Sequence, residues 1–306
     1  MNNKTKGYIL GAIASSTYGM NPMFTKPLYE AGMNADSVLF FRYLLALPIL
    51  AIMLGLRGQS FKINFKELIT LAVMGLFFSL SSLTLFESYH HMDTGIASTI
   101  LFIYPVIVAL IMSIFFKEKM TLQTGLCMAM ALGGIALLYK PAGGQPISTL
   151  GMVLIISSAI SYAIYIVSVN RPSLKKVPTL KVTFYVILFG LSLYAVRLGL
   201  NRNLVIPTAF VDWSRLISLA IFPTVVSLLC TTTAILYIGS TTTAILGALE
   251  PVAAIVLGVT VLGESLSGRD VLGLTLIIVA VSIIIGGSRM SKYLVRVKKL
   301  FPRQKM

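Results

Sequence analysis

Long apolar runs alternate with short polar or turn-forming breaks along this chain. The runs lie near 7–26, 36–56, 67–89, 94–116, 121–139, 149–170, 180–199, 213–238, 242–262 and 270–287. Each is close to the roughly 20 residues that a helix needs to cross a bilayer, so the pattern predicts about ten membrane-spanning helices. The breaks have physical causes. Lys140-Pro141-Ala142-Gly143-Gly144 cannot continue a helix, Arg171-Pro172 ends the sixth run, and Pro178 precedes the seventh. The last junctions, at Gly239-Ser240 and 263–268, carry weaker signals, which leaves nine spans as the competing count. Beyond Gly287 the pattern changes. Tyr293, Leu294, Val297, Leu300 and Phe301 fall on one helical side, and Lys292, Arg296, Lys299 and Arg303 on the other. That is the signature of a basic amphipathic helix lying on an anionic membrane surface.

Composition narrows the class further. Of 306 residues, 57% are hydrophobic and 11% charged, and the mean hydropathy is +0.89. Globular domains carry about 25% charged residues. This composition excludes a soluble enzyme, a nucleic-acid binder and a disordered chain, and ten spans leave no room for a soluble domain. Cys127 and Cys230 both sit in apolar runs and form neither a metal spacing nor a disulfide framework. At the N-terminus, Lys4 and Lys6 precede an apolar stretch with Ala12-Ile13-Ala14, but cleavage there would leave too short an apolar core for a signal peptide. An uncleaved first span is expected.

The net charge of +15 reads as orientation rather than as nucleic-acid affinity. With the N-terminus in the cytoplasm, 18 Lys and Arg residues fall on the inner side and 6 on the outer side, with Arg42 inside a span. Positive charge collects in cytoplasmic loops. Both termini are therefore expected in the cytoplasm of a multi-pass plasma (inner) membrane protein, and the span count is even.

The two halves resemble each other. Gly7 and Tyr18 match Gly151 and Tyr162 at an offset of 144, while Tyr104-Pro105-Val106 matches Glu250-Pro251-Val252, and Glu118 matches Glu264, at an offset of 146. The expected organisation is repeat 1 over 7–138, repeat 2 over 149–287 and a basic cytoplasmic tail over 288–306. Five spans per half is an odd number, so the second half enters the membrane upside down relative to the first. The fold class is thus an all-α polytopic membrane protein of two inverted five-helix repeats. Inverted repeats let a site near the midplane meet each side of the membrane in turn.

The first span reads Ser15-Ser16-Thr17-Tyr18-Gly19-Met20-Asn21-Pro22-Met23-Phe24-Thr25-Lys26. Phe41-Arg42-Tyr43-Leu44-Leu45-Ala46 follows on the second span, and Leu249-Glu250-Pro251-Val252 and Leu262-Gly263-Glu264-Ser265-Leu266-Ser267 close the second half. Over 7–287 the chain resembles the EamA family of the drug/metabolite transporter superfamily, which includes amino-acid exporters. The resemblance implies transport of small metabolites and a water-accessible cavity lined by spans one, three, four, six, eight and nine. Tyr18 stands where the family often has Trp.

Several polar residues within the runs are candidates for the pathway or for coupling. Arg42 and Glu250 are costly inside a span and should face protein or water. Arg42 suits an anion or carboxylate contact, a gate ion pair, or snorkelling to the outer headgroups. Glu250, the deepest acid, suits proton coupling or an ammonium contact. Asn21, Tyr104 and Tyr162 are further pathway candidates, with Tyr104 taking in the first half the place of Glu250. Pro22, Pro105 and Pro251 each remove a helical hydrogen bond and are expected to kink their spans. Glu87, His90, His91 and Asp93 form a polar outer end of the third span, where a pH-sensitive gate is more plausible than a metal site. No phosphate-binding glycine loop and no nucleophile–base pair is recognisable, so neither an ATP-driven pump, nor an enzyme, nor a cofactor or metal is expected. The leading reading is a secondary transporter, an exporter of small metabolites such as amino acids, with the lipid bilayer as its solvent and protons as a candidate coupling ion. The alternative is a membrane receptor or interaction protein that reuses the fold without moving solute.

Overall fold

The computed structural model describes residues 2–88, 90–92, 94–138, 148–174, 176–199, 204–262 and 267–300, with backbone alone for 94–96, 98, 258, 261–262 and 287–300. Among these residues the chain is helical and contains no strand. The helices are α1 (Asn3–Tyr18), α2 (Asn21–Glu30), α3 (Ala35–Leu56), α4 (Phe65–Ser88), α5 (Thr94–Leu101), α6 (Tyr104–Phe116), α7 (Leu122–Leu138), α8 (Thr149–Ser168), α9 (Thr179–Gly199), α10 (Phe210–Ala220), α11 (Ser227–Ile238), α12 (Ser240–Leu246), α13 (Leu249–Leu262) and α14 (Gly268–Leu300). A π-helical turn, Ile221–Val226, joins α10 to α11. Eight helical stretches are long and apolar enough to span a membrane, and Leu122–Leu138 is a shorter apolar helix.

The ten expected runs are thus present, but four of them are not single regular helices. The first divides at Gly19–Met20, the fourth at Phe102–Ile103, the ninth at Gly247–Ala248, and the eighth carries the π-turn. Pro22 and Pro105 lie in the first turn of the helix that restarts, and Pro251 lies just inside α13. A proline lacks the amide hydrogen that would close the preceding turn, which is why each break lies ahead of its proline. The weak junction at Gly239 is a true reversal. On one side of it α11 runs from Ser227, whose hydroxyl donates to the Ala14 carbonyl (2.9 Å), to Ile238, which packs on Gly7. On the other side the chain climbs back to Leu246 beside Gly11 and to Glu250 beside Gly19. Gly239 has φ +84°, a conformation that a side chain would strain, and it turns the chain in one residue. This rules out a merger of the eighth and ninth runs into one span. At the other end α14 continues as one helix to Leu300, whereas the sequence pattern suggests a separate tail helix. The faces of that tail, the break at 140–144, Asp93 and Glu264 lie outside the described residues.

Packing pairs cross from one half to the other in an exchanged order. The first span packs through α1 on α11 of the eighth, and the sixth, α8, packs on the third, α4. Likewise α1 packs on α13 while α8 packs on α6, and α3 pairs with its counterpart α9 as α7 does with α14. Close helix approach relies on glycine. Gly75 on α4 and Gly190 on α9 bring two backbones together, since a Cβ on Gly75 would lie 2.6 Å from the Val186 carbonyl oxygen. Gly134 and Gly273 do the same for α7 and α14. Lipid provides no hydrophobic drive between helices, so such small-residue contacts supply the packing. Near the start of α10, the ring of Trp213 meets Phe41 edge-on at 5.4 Å, and its indole N–H donates to the Pro207 carbonyl (3.1 Å).

Candidate functional site

The helix breaks converge with the buried polar side chains at the middle of the bundle. Arg42 on α3 is 1% exposed, so it does not snorkel to the surface. Its Nε donates to Thr224 Oγ1 (2.6 Å), Nη2 to the Pro223 carbonyl (3.0 Å) and Nη1 to Asn21 Oδ1 (3.4 Å). The guanidinium also lies 5.8 Å from the centroid of the Tyr18 ring, within cation–π range. The π-turn creates two of these acceptors. Pro223 has no amide hydrogen to give to the Leu219 carbonyl, and the Thr224 hydroxyl donates there instead (2.8 Å). Its oxygen is then held in place to accept from Arg42. Asn21, at the start of α2, is buried and accepts also from Thr25 Oγ1 (3.3 Å). A guanidinium has five N–H donors. Three are engaged here, none by a carboxylate among the described residues.

Glu250 opens α13 from the other side of the centre and is half-buried. Its backbone carbonyl rests against Gly19 at the first-span break. The carboxylate lies within electrostatic reach of Arg42, Tyr104 and Tyr162. Among the described residues no side chain hydrogen-bonds it.

Tyr104 is the repeat counterpart of Glu250 and does different work. Where α12 ends, Ala248 N–H turns to the Ile245 carbonyl (3.1 Å), and the Ala244 carbonyl accepts from the Gly247 N–H (3.1 Å) in place of its regular helical donor. The Tyr104 hydroxyl donates to that carbonyl (3.1 Å). Its ring meets Tyr162 edge-on at 4.8 Å, and the aromatic contacts continue through Tyr165, Phe78 and Tyr43 to Tyr194. Tyr18 and Tyr162, related by the repeat, thus both face the centre: one under the guanidinium, the other against Tyr104.

The structure brings Asn21, Arg42, Tyr104, Tyr162 and Glu250 together, with Pro22, Pro105 and Pro251 beside them. It does not bring Glu87 there. Glu87 lies at the C-terminal end of α4, where Arg197 on α9 donates from Nη2 to Glu87 Oε1 (2.9 Å) and from Nε to Asp36 Oδ1 (2.8 Å) on α3. His90 is exposed and His91 half-buried, and no group of three or more His, Cys, Asp or Glu suited to a metal occurs among the described residues. Sequence reading missed Pro223 and Thr224. A proline in the middle of an apolar run was the available signal.

Two five-helix halves packed in exchanged order around a buried charge, an aromatic lining and three interrupted helices define a polytopic membrane transporter architecture. The profile of the EamA-like transporter family matches residues 5–140 and again 149–286, and the chain belongs to that family. An uncharacterized transporter of Archaeoglobus fulgidus is 26% identical over 250 residues, which cover 80% of this chain and 83% of the relative. A solved crystal structure superposes with a TM-score of 0.79 at 16% identity, covering 91% of this chain and 96% of the other. At that identity the likeness shows the fold.

Proposed function

We propose that this membrane transporter is a secondary exporter of small amphipathic metabolites, amino acids among them, working by alternating access in the plasma membrane with both termini cytoplasmic. The observation that carries the reading is the placement of Arg42 and Glu250, unpaired but within electrostatic reach of each other, beside the interrupted helices. Arg42 offers unspent donors to a carboxylate, Glu250 offers an acceptor to an ammonium, and the tyrosines give an apolar wall with polar edges. Helix breaks support movement, because a span divided at mid-depth can tilt its two parts separately. The lysine and arginine distribution supports the orientation.

Flux into and out of proteoliposomes tests this. Counterflow of at least one amino acid or related zwitterion is expected across a panel of metabolites. Absence of flux in both directions, with and without a pH gradient, overturns the transport reading.

Glu250→Gln keeps the shape of the side chain and removes its charge. If Glu250 carries coupling protons, gradient-driven transport falls at least tenfold, while substrate exchange survives. The titratable or charged groups around it are Arg42 on α3, Tyr18 on α1, Tyr104 on α6 and Tyr162 on α8. An unchanged pH profile with normal rates removes Glu250 from coupling.

A further inference from the structure

A second polar site lies far from the centre, at the end of the bundle where α4 and α9 begin. There a hollow of about 230 Å³ is lined by Lys62, Ile63, Asn64, Glu67, Lys176, Val177, Pro178 and Lys181. Its walls come from the end of the α3–α4 connection, residues 62–64, and from residues 176–178 ahead of α9, with Glu67 on α4 and Lys181 on α9. Three lysines from both connections and from α9 thus surround one space, against a single carboxylate, Glu67. That carboxylate is already used, accepting from the Asn64 amide (3.0 Å) to cap α4. Among the described residues none of the three lysines forms an ion pair.

The hollow is also held in shape. Lys181 Nζ donates to the Lys62 carbonyl (3.1 Å), Tyr185 donates its hydroxyl to the Phe61 carbonyl, and the Phe61 ring meets Phe184 edge-on at 5.4 Å. The first connection is therefore pinned to α9. Phe61 and Phe65, which flank the lining residues 62–64 in the chain, leave 45% and 75% of their surface exposed. Large exposed side chains at the very start of a membrane span belong at the level where acyl chains meet headgroups.

We propose that this hollow binds the phosphate of an anionic phospholipid headgroup, with the three ammonium groups around the phosphate oxygens and the acyl chains lying along Phe61 and Phe65. Basic pockets between membrane helices hold lipid phosphates in this manner. A free phosphate shares the charge chemistry but makes no use of the adjoining apolar side chains. The site stands independently of the transport reading. Its occupancy ties the α3–α4 connection of one repeat to the α8–α9 connection of the other, since the lysines come from both.

Native mass spectrometry of the full chain, released from micelles containing phosphatidylglycerol or phosphatidylcholine, tests the assignment. At least one phosphatidylglycerol is expected to stay bound under conditions that strip phosphatidylcholine. A Lys62→Gln, Lys176→Gln, Lys181→Gln variant should bind it about a hundredfold more weakly, roughly fivefold per lysine. The control variant Lys4→Gln, Lys117→Gln, Lys119→Gln removes equal charge from exposed positions outside the hollow and should keep the lipid. If the triple variant fails to fold, Lys176→Gln alone, an exposed position, reads the fivefold step. Equal loss from pocket and control variants, or no preference of the parent chain for phosphatidylglycerol, overturns the proposal. So does protection against heat by millimolar inorganic phosphate with none from the lipid, which assigns the hollow to a soluble anion.

Discussion

Gly190→Val is expected to destabilise the protein by about 3 kcal/mol, near the upper end of what overpacking costs. A Cβ on Gly190 would meet the Ser79 hydroxyl, come within 2.7 Å of Tyr43 Cε2 and within 3.3 Å of the Gly75 carbonyl. None of these can retreat cheaply. The Gly75 carbonyl is backbone, and Tyr43 is held between Phe78 and Tyr194 at ring distances of 6.0 and 5.1 Å. The substitution therefore wedges α9 away from α4 and drags on the tyrosine ladder. Thermal unfolding in detergent measures the loss, which should appear as a drop of several degrees in the midpoint. Gly199→Val, at a position where an added Cβ meets open space, should leave the midpoint nearly unchanged. Equal midpoints for the two variants would contradict the close packing of α4 on α9.

Arg42→Met should cost nearly as much and should abolish transport. The substitution keeps the length of the side chain but takes a charged donor from the Pro223 carbonyl, the Thr224 hydroxyl and the Asn21 amide oxygen in a buried setting, leaving the last two only their bonds to Leu219 and Thr25. Hydrogen bonds to charged groups are worth about 1.5–3 kcal/mol each, and partial repacking leaves a net loss of about 3 kcal/mol. Lysine is no substitute, because one ammonium cannot reach three acceptors that a planar fork reaches together. Arg42→Lys is thus expected to recover stability in part and substrate affinity hardly at all. The ratio between thermal midpoint and counterflow across the two variants separates a scaffold role from a binding role. Normal counterflow in Arg42→Met would remove Arg42 from the site.

Much of the fold is legible in the sequence because lipid imposes one rule: every backbone group must be satisfied within the span. Ten apolar runs and the spacing from Pro105 to Glu118, repeated from Pro251 to Glu264, carry the architecture directly. Gly239 shows the limit of this reading. A single glycine in a continuous apolar stretch can pass through a helix or reverse it, and only the packing of the flanking segments, Ile238 on Gly7 and Leu246 back beside Gly11, decides. The site is legible where residues are expensive. Arg42 and Glu250 stand out because charge inside a membrane needs a reason. Their partners do not stand out. Thr224 looks like any hydroxyl along an apolar run, and the carbonyls of Pro223 and Ala244 have no sequence signature, since the backbone becomes available only where a helix is interrupted. Glu87 stands out for the same reason as Glu250, yet its partner Arg197, which it shares with Asp36, comes from a helix distant in sequence, and that pairing places it at the rim.

Trp213 is the single tryptophan in the chain. Its contact with Phe41, the residue next to Arg42, makes the seam between α3 and α10 optically distinct from the rest of the molecule. All indole emission arises from that one seam, without a label and without a background to subtract. The protein therefore carries a native fluorescence gauge in contact with the chain neighbour of the buried guanidinium.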